Sequence, residues 1–254
     1  QEALGNWGPV QADLWLHCAS VGEVLAAKTL VTQWLDANPD KQLLITTVTP
    51  TGAEQVQKWF ADRVQHRYLP LDHKLCVQRA LGKLACPQLA IIETELWPNL
   101  LQVAKAKGMT IQVINARLSD RSAKRYQKFS FFARPLMALP DRFLAHASAD
   151  AERFKALGAK DVPVVGNIKF DVTAPEDTEV PIWCKALAPK GEFIWIAAST
   201  HEGEDALILE AHKSLKRQLS NAKLILVPRH PERFDEVFAL AKQSGFHVAR
   251  RSDN

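Results

Sequence analysis

Short apolar runs alternate with longer amphipathic stretches along the first two thirds of the chain. The runs fall near residues 13–19, 42–48, 64–69, 88–93, 110–115, 142–147 and 162–165, with apolar residues at helical spacing between them. That rhythm predicts β-α-β units and an α/β fold built on a parallel sheet. Leu43-Leu44-Ile45 and Leu89-Ala90-Ile91-Ile92 are apolar without alternation, as central strands covered by helices on both faces require. The pattern fails around Asp171 to Pro189, where Thr173 to Pro181 is polar, acidic and punctuated by proline. Such a stretch predicts a linker at 171–190 between a first domain at 1–170 and a second at 191–254. Past it the rhythm restarts with a strand at Phe193 to Ala198, a helix to about Gln218, a strand at 224–227, another helix, and a last strand near His247 to Arg250. About 65 residues make half of a doubly wound domain, so the second domain is expected to be incomplete in this chain.

The 254 residues suffice for a large core or two domains. No apolar run approaches a membrane span and no signal peptide opens the sequence, so a soluble polypeptide is expected. Cys18, Cys76, Cys86 and Cys184 lack CxxC spacing, which argues against a zinc site or a disulfide framework and predicts free thiols in a reducing compartment. A formal charge of +4 is mild, so the placement of basic residues matters more than their sum.

Candidate chemistry gathers where strands end. His17-Cys18-Ala19-Ser20-Val21-Gly22-Glu23 follows the first main run and sets Glu23 in the first turn of a helix at a strand's carboxyl end, where open α/β sheets bind ligands. Ser20-x-x-Glu23 also spells a capping box, so the carboxylate can be a base or a cap. Glu93 and Glu95 leave the next central strand ahead of Pro98, a residue suited to a helix's first turn. They can form an acid/base or hydroxyl-binding site, or complement a helix dipole. Asn115, Arg117 and Ser119 emerge after the following strand, and Thr47 to Gly52, with Thr51, adds hydroxyls at another edge. Arg121, Lys124, Arg125 and Lys128 form a stripe at helical spacing followed by Phe129, Phe131 and Phe132. This reads either as a solvated face or as a contact for an anionic membrane or phosphorylated lipid, with no nucleic-acid-binding motif beside it. In the second unit, Ser199, Thr200 and His201 precede one helix and Arg229 and His230 the next, positions suited to a nucleotide phosphate. GxGxxG, GxxxxGK[ST], HExxH and GxSxG are all absent, which weakens dinucleotide, P-loop, zinc-peptidase and serine-hydrolase readings. Lys169, in Gly166 to Asp171, falls near the presumed cleft or is plain surface.

In order, the segments 17–23, Thr49-Pro50-Thr51-Gly52, Glu93 to Asn99, Asn115 to Ser119, Gly166 to Asp171, Ser199 to Glu204 and Pro228 to Phe234 resemble the 3-deoxy-D-manno-octulosonic acid (Kdo) transferases of lipopolysaccharide synthesis. The resemblance implies a GT-B type fold, two Rossmann-like domains facing a cleft, and an inverting, metal-independent transferase without cofactor. It would move Kdo from CMP-Kdo to a hydroxyl of the lipid A precursor. Glu23 would be the general base, kept ionised by its helix dipole. Glu95, Glu93, Thr51, Asn115, Arg117 and Ser119 would hold the acceptor. Ser199, Thr200, His201, Arg229, His230 and Lys169 would hold the donor, and Arg121, Lys124, Arg125 and Lys128 would meet acceptor phosphates or an anionic membrane. The site would work at the cytoplasmic face of the inner membrane, with the family's apolar amino-terminal anchor and its glycine-rich carboxyl-terminal motif outside this chain. A nucleotide-sugar epimerase or other GT-B enzyme, or a binding module for anionic lipid, are the alternative readings.

Overall fold

A computed structural model describes residues 1–171 and 191–253, in two compact units, Gln1–Ala174 and Pro175–Asn254. The expected linker at 171–190 lies outside the described residues beyond Asp171, as does Cys184.

In the first unit the predicted runs from 13–19 through 142–147 become strands. A short pair, β1 (Val10–Gln11) and β5 (Leu84–Ala85), stands apart from a six-stranded sheet. That sheet contains β2 (Leu14–His17), β3 (Leu43–Thr47), β4 (Gln65–Tyr68), β6 (Gln88–Ile92), β7 (Thr110–Ala116) and β8 (Arg142–Ala145). All pairings are parallel and the order is β4-β3-β2-β6-β7-β8. Growth of the sheet therefore reverses direction between β2 and β6, which makes that seam the topological switch point.

Strand alternation sorts the side chains onto two faces. Leu16, Leu43, Ile45, Ala90 and Ile92 meet α1 (Val21–Ala37) and α2 (Pro50–Phe60) through Val24, Val31, Leu35 and Val56. Trp15, Leu44, Leu89, Ile91 and Ile111 pack on the other side against α3 (Lys74–Gly82) and α4 (Pro98–Ala106). Beyond β7, helices α5 (Asp120–Lys128), α6 (Ser130–Met137) and α7 (Ser148–Ala156) bury Val113, Phe143 and Phe154, the last two rings stacked with centroids 4.7 Å apart.

The expected strand at 162–165 reduces to one bridge between Ala145 and Val164. Pro163 has no N–H to extend the ladder, and Val164 and Val165 stay exposed.

The second unit holds β9 (Ile194–Thr200), β10 (Lys223–Pro228), α8 (Glu204–Gln218) and α9 (Phe234–Gln243), with the two strands parallel. The expected strand near 247–250 is absent. That stretch packs on helices instead: the Arg250 guanidinium sits 4.0 Å above the Phe238 ring and pairs with Asp235, and Phe246 tilts against His212. No helix among the described residues is long and apolar enough to cross a membrane.

Candidate active site

The switch point is flanked by the two segments richest in candidate chemistry. β2 runs into the start of α1 and β6 into the loop before α4, so Glu23 and the Glu93–Glu95 pair leave adjacent strands at the same edge.

Glu23 is 7% exposed. Its Oε2 accepts the Ala19 N–H at 2.7 Å and its Oε1 accepts the Ser20 hydroxyl at 3.3 Å. This is only part of a capping box, because Ser20 directs its side chain to the carboxylate and makes no cap bond to the helix. Burial pushes the Glu23 carboxyl up to about 7, against the pull of the Ala19 N–H, and the charges of Glu95 and Glu93 push the same way. The expectation that the helix dipole keeps Glu23 firmly ionised therefore fails: burial beside two more carboxylates outweighs it. Glu95 is likewise raised, first by burial and then by Glu93. His17, fully buried at the end of β2, shares its Nδ1 with the Thr46 hydroxyl at 3.0 Å. Burial lowers it to about 4, so it is a neutral structural imidazole at neutral pH.

The loops that carry these groups turn sharply. Glu93 and Asn115 both adopt left-handed backbone, with φ of 61° and 57°, a conformation uncommon outside glycine and concentrated at functional sites. Asn115 is buried and its Oδ1 accepts the Ile168 N–H at 3.3 Å. The Thr94 hydroxyl donates to the Arg117 carbonyl, which ties the β6 loop to the β7 loop. Ser119 caps α5 by accepting the Ser122 N–H at 3.2 Å.

Lys169, expected near the donor, lies in the first unit with its ammonium 2.8 Å from Glu93 Oε1. The 3-10 turn Ile168–Asp171 that carries it reaches α1, where the Thr29 hydroxyl donates to the Asp171 carbonyl. Thr51 is exposed in the first turn of α2, whose cap is Thr49 accepting the Gly52 N–H at 3.1 Å. A Cβ on Gly52 would come within 3.0 Å of that same hydroxyl, which explains the glycine.

Sequence reading misses Asp72. It lies in the loop after β4 and caps α4 from a distance, its carboxylate accepting the N–H groups of Asn99 and Leu100 at 3.1 and 2.8 Å. Trp97, the local N-cap, makes no side-chain cap bond, so Asp72 fixes the helix to which the Glu95 loop is attached. A cap 27 residues away in sequence leaves no spacing signal. Elsewhere in this unit, an apolar groove of about 200 Å³ lies between α1 and the strands, lined by Leu16, Leu30, Trp34 and Ile114 among others. It holds no titratable group and is separate from the carboxylates.

In the second unit the expected donor residues collect where β9 and β10 end. Ser199 is left-handed at φ 60° and falls at a register shift between the two strands. Thr200 is buried, with its hydroxyl donating to Asp205 Oδ1 at 2.6 Å and its carbonyl accepting the Arg229 N–H at 3.0 Å. His201 and His230 face each other with ring centroids 6.0 Å apart, and Arg229 is exposed beside them. Arg233, to which the sequence reading gives no role, pairs with Asp205 and donates to the Thr200 carbonyl at 3.0 Å. Among the described residues no cluster of His, Cys, Asp and Glu is arranged to hold a metal ion.

Two successive Rossmann-like units, the first with paired carboxylates at its switch point, give the chain the α/β architecture of the GT-B group. Among solved structures the fold is similar to a UDP-N-acetylglucosamine 2-epimerase from Neisseria meningitidis (TM-score 0.64, 11% identity, covering 92% of this chain and 70% of that one). A putative epimerase of the same name from Listeria monocytogenes gives a TM-score of 0.61 at 15% identity, covering 92% and 67%. At these identities the likeness concerns the fold alone.

The sequence model of 3-deoxy-D-manno-octulosonic-acid transferase matches residues 1–172, and the chain belongs to that family. A 3-deoxy-D-manno-octulosonic acid transferase of Haemophilus influenzae is 39% identical over all of this chain and 61% of its own length. The enzyme of the same name from Bordetella pertussis is 33% identical over 96% of this chain and 58% of its own length. The chain thus spans about three fifths of these relatives.

Proposed function

We propose that this chain carries the acceptor-activating half, and the beginning of the donor half, of an inverting transferase that moves Kdo from CMP-Kdo to a hydroxyl of a lipid A precursor. The observation that carries this reading is the buried Glu23 carboxyl, raised to about 7 beside Glu93 and Glu95 at the sheet's switch point. A base poised near neutral pH has enough ionised form to accept a proton and enough affinity to hold it.

In the proposed reaction, Glu23 takes the proton of the acceptor hydroxyl as its oxygen attacks the anomeric carbon of Kdo. The new C–O bond forms on the face opposite the departing phosphate, the bond to CMP breaks, and the anomeric centre inverts in one displacement. Glu95 orients the acceptor by accepting from a neighbouring hydroxyl, and Asn115, Arg117, Ser119 and Thr51 offer polar groups from the same sheet edge. Arg229 and Ser199, exposed at the ends of the second unit's strands, would offset the charge that develops on CMP; His201 and His230 lie beside them. In this mechanism arginine and N–H groups stand where a metal would otherwise act, and no cofactor takes part. The acceptor is a membrane lipid, so the work is done at the cytoplasmic face of the inner membrane.

The test is a mass-spectrometric product assay on the whole protein with CMP-Kdo and lipid A precursor. The reading predicts lipid bearing added Kdo and CMP release that depends on lipid. CMP release or sugar conversion independent of lipid would instead support an epimerase-like or hydrolytic activity.

A further inference from the structure

The second unit has two strand ends that must be held together, because its expected donor residues come from both. Ser199 and Thr200 close β9, with His201 just past it, and Arg229 and His230 follow β10. Neither end is regular: the ladder shifts register between Val227 and Pro228, and Ser199 turns left-handed at φ 60°. A shifted ladder is locally disrupted and bends the strand, so something else has to fix these ends.

A buried ring of side chains does so. The Thr200 hydroxyl donates to Asp205 Oδ1 at 2.6 Å, Asp205 Oδ2 pairs with Arg233 Nη2, and Arg233 Nη1 donates to the Thr200 carbonyl at 3.0 Å. The same carbonyl accepts the Arg229 N–H at 3.0 Å. The end of β9, the first turn of α8 and the 3-10 turn Pro231–Arg233 are thereby closed into one circuit, and Arg229 is attached to it through its own backbone. His201 is fixed on the same side, its N–H donating to Glu204 Oε2 at 2.7 Å. Thr200 and Asp205 are 3% and 2% exposed and the Arg233 side chain 13%. Ser199, His201, Arg229 and His230 are all exposed around them.

Stability alone does not account for the ring. A buried ion pair is often matched or bettered by apolar side chains of similar volume, whereas loss of one partner strands a charge. What a guanidinium fork adds is geometry: two donors at fixed spacing, reaching an acid on one element and a carbonyl on another. Apolar packing cannot set the direction of the Thr200 carbonyl or of the Arg229 N–H that it receives. The charge of Arg233 meets Asp205 inside the ring, while Arg229 presents its guanidinium at the exposed edge.

We propose that Asp205 and Arg233 are positioning residues for the donor: their buried pair fixes Thr200, and through Thr200 holds the exposed Ser199, His201 and Arg229 in the arrangement that receives the phosphate of CMP-Kdo. This role rests on the transferase reading given above and adds to it two residues that touch no substrate. Strand ends ordered in advance bind more tightly than ends that must be ordered by the ligand.

The test uses the whole protein, with CMP as the probe in titration calorimetry, steady-state transfer as a second readout, and the variants Asp205→Asn, Arg233→Lys and Asp205→Asn/Arg233→Met. Asp205→Asn alone leaves Arg233 without its counter-charge and is expected to melt lowest, and the double variant is expected to recover most of that loss. Recovered stability should not restore the donor site: in the double variant Kd for CMP and KM for CMP-Kdo are expected to rise by about tenfold or more, with KM for the acceptor unchanged. Arg233→Lys keeps the charge balance but not the fork, so it is expected to fold as wild type does and still to bind CMP more weakly, which carries the test even where the double variant does not fold. A folded double variant that binds CMP as tightly as wild type overturns the proposal and leaves the pair a role in folding alone. So does an equal rise in KM for both substrates, or an Arg233→Lys variant with unaltered Kd. A wild-type protein that binds no CMP would remove the transferase reading and this role together, whereas tight CMP binding by wild type and variants alike removes only the role given to Asp205 and Arg233.

Discussion

Glu23→Gln separates a catalytic base from a helix cap through the sign of its effect on stability. Glu23 titrates near its ordinary value of 4.5 when the chain is unfolded and at about 7 when folded. Between those values the folded protein holds a proton that the unfolded chain has released, so stability falls as pH rises through this window and levels off above it. The difference is about 3 kcal/mol, taken as a ceiling because a buried site relaxes. Glutamine has the same shape, can still accept the Ala19 N–H and carries no charge into the buried site. Thermal unfolding of wild type and variant at about pH 4.5 should therefore nearly coincide, while at about pH 8 the variant should melt higher, by up to roughly 6–12 °C for a domain of this size. If Glu23 served mainly as a cap, the sign would reverse, because loss of a capping carboxylate costs about 0.5–2 kcal/mol. A variant less stable than wild type at about pH 8 would refute the argument from burial and neighbouring charge.

Lys169→Met removes the cation that pairs with Glu93 in the carboxylate cluster, so the pH midpoint for transfer should move upward from about 7 with little change in KM for CMP-Kdo. A raised KM with an unmoved midpoint would show that Lys169 serves the donor instead. Asp72→Ala should lower stability by about 1 kcal/mol in a denaturant titration, the scale of a lost N-cap, and should weaken acceptor use more than donor binding, because α4 anchors the Glu95 loop. An unchanged KM for acceptor would show that the loop holds its place without the cap.

Much of the first unit was legible because its central strands are buried on both faces, which leaves Leu43-Leu44-Ile45 and Leu89 to Ile92 apolar without alternation. The breaks were less legible where one residue decides the pairing. Pro163 ends a ladder that Val164 and Val165 would otherwise extend, and Arg250 is drawn from a strand-like run onto Phe238. The meeting of Glu23 with Glu93 and Glu95 could be anticipated, since parallel strands deliver their carboxyl ends to one edge. The raised Glu23 carboxyl could not, because burial is a property of the packed loops rather than of spacing. The caps and ties that position the site, Asp72 on α4 and Thr94 on Arg117, join segments 27 and 23 residues apart and leave no local pattern. Lys169 was visible as a basic residue near the edge, but only the packed turn reveals that its partner is Glu93.

In the proposed mechanism, removal of the acceptor's proton falls to Glu23. Its most direct test is the pH dependence of kcat/KM for Kdo transfer, measured on the whole protein for wild type and Glu23→Gln. The wild-type rate is expected to climb with pH to a plateau above about 7, and the variant to be slower by about 100-fold or more and to lack this climb while still binding CMP-Kdo. A variant that transfers Kdo at near wild-type rate, with the same pH profile, would contradict it.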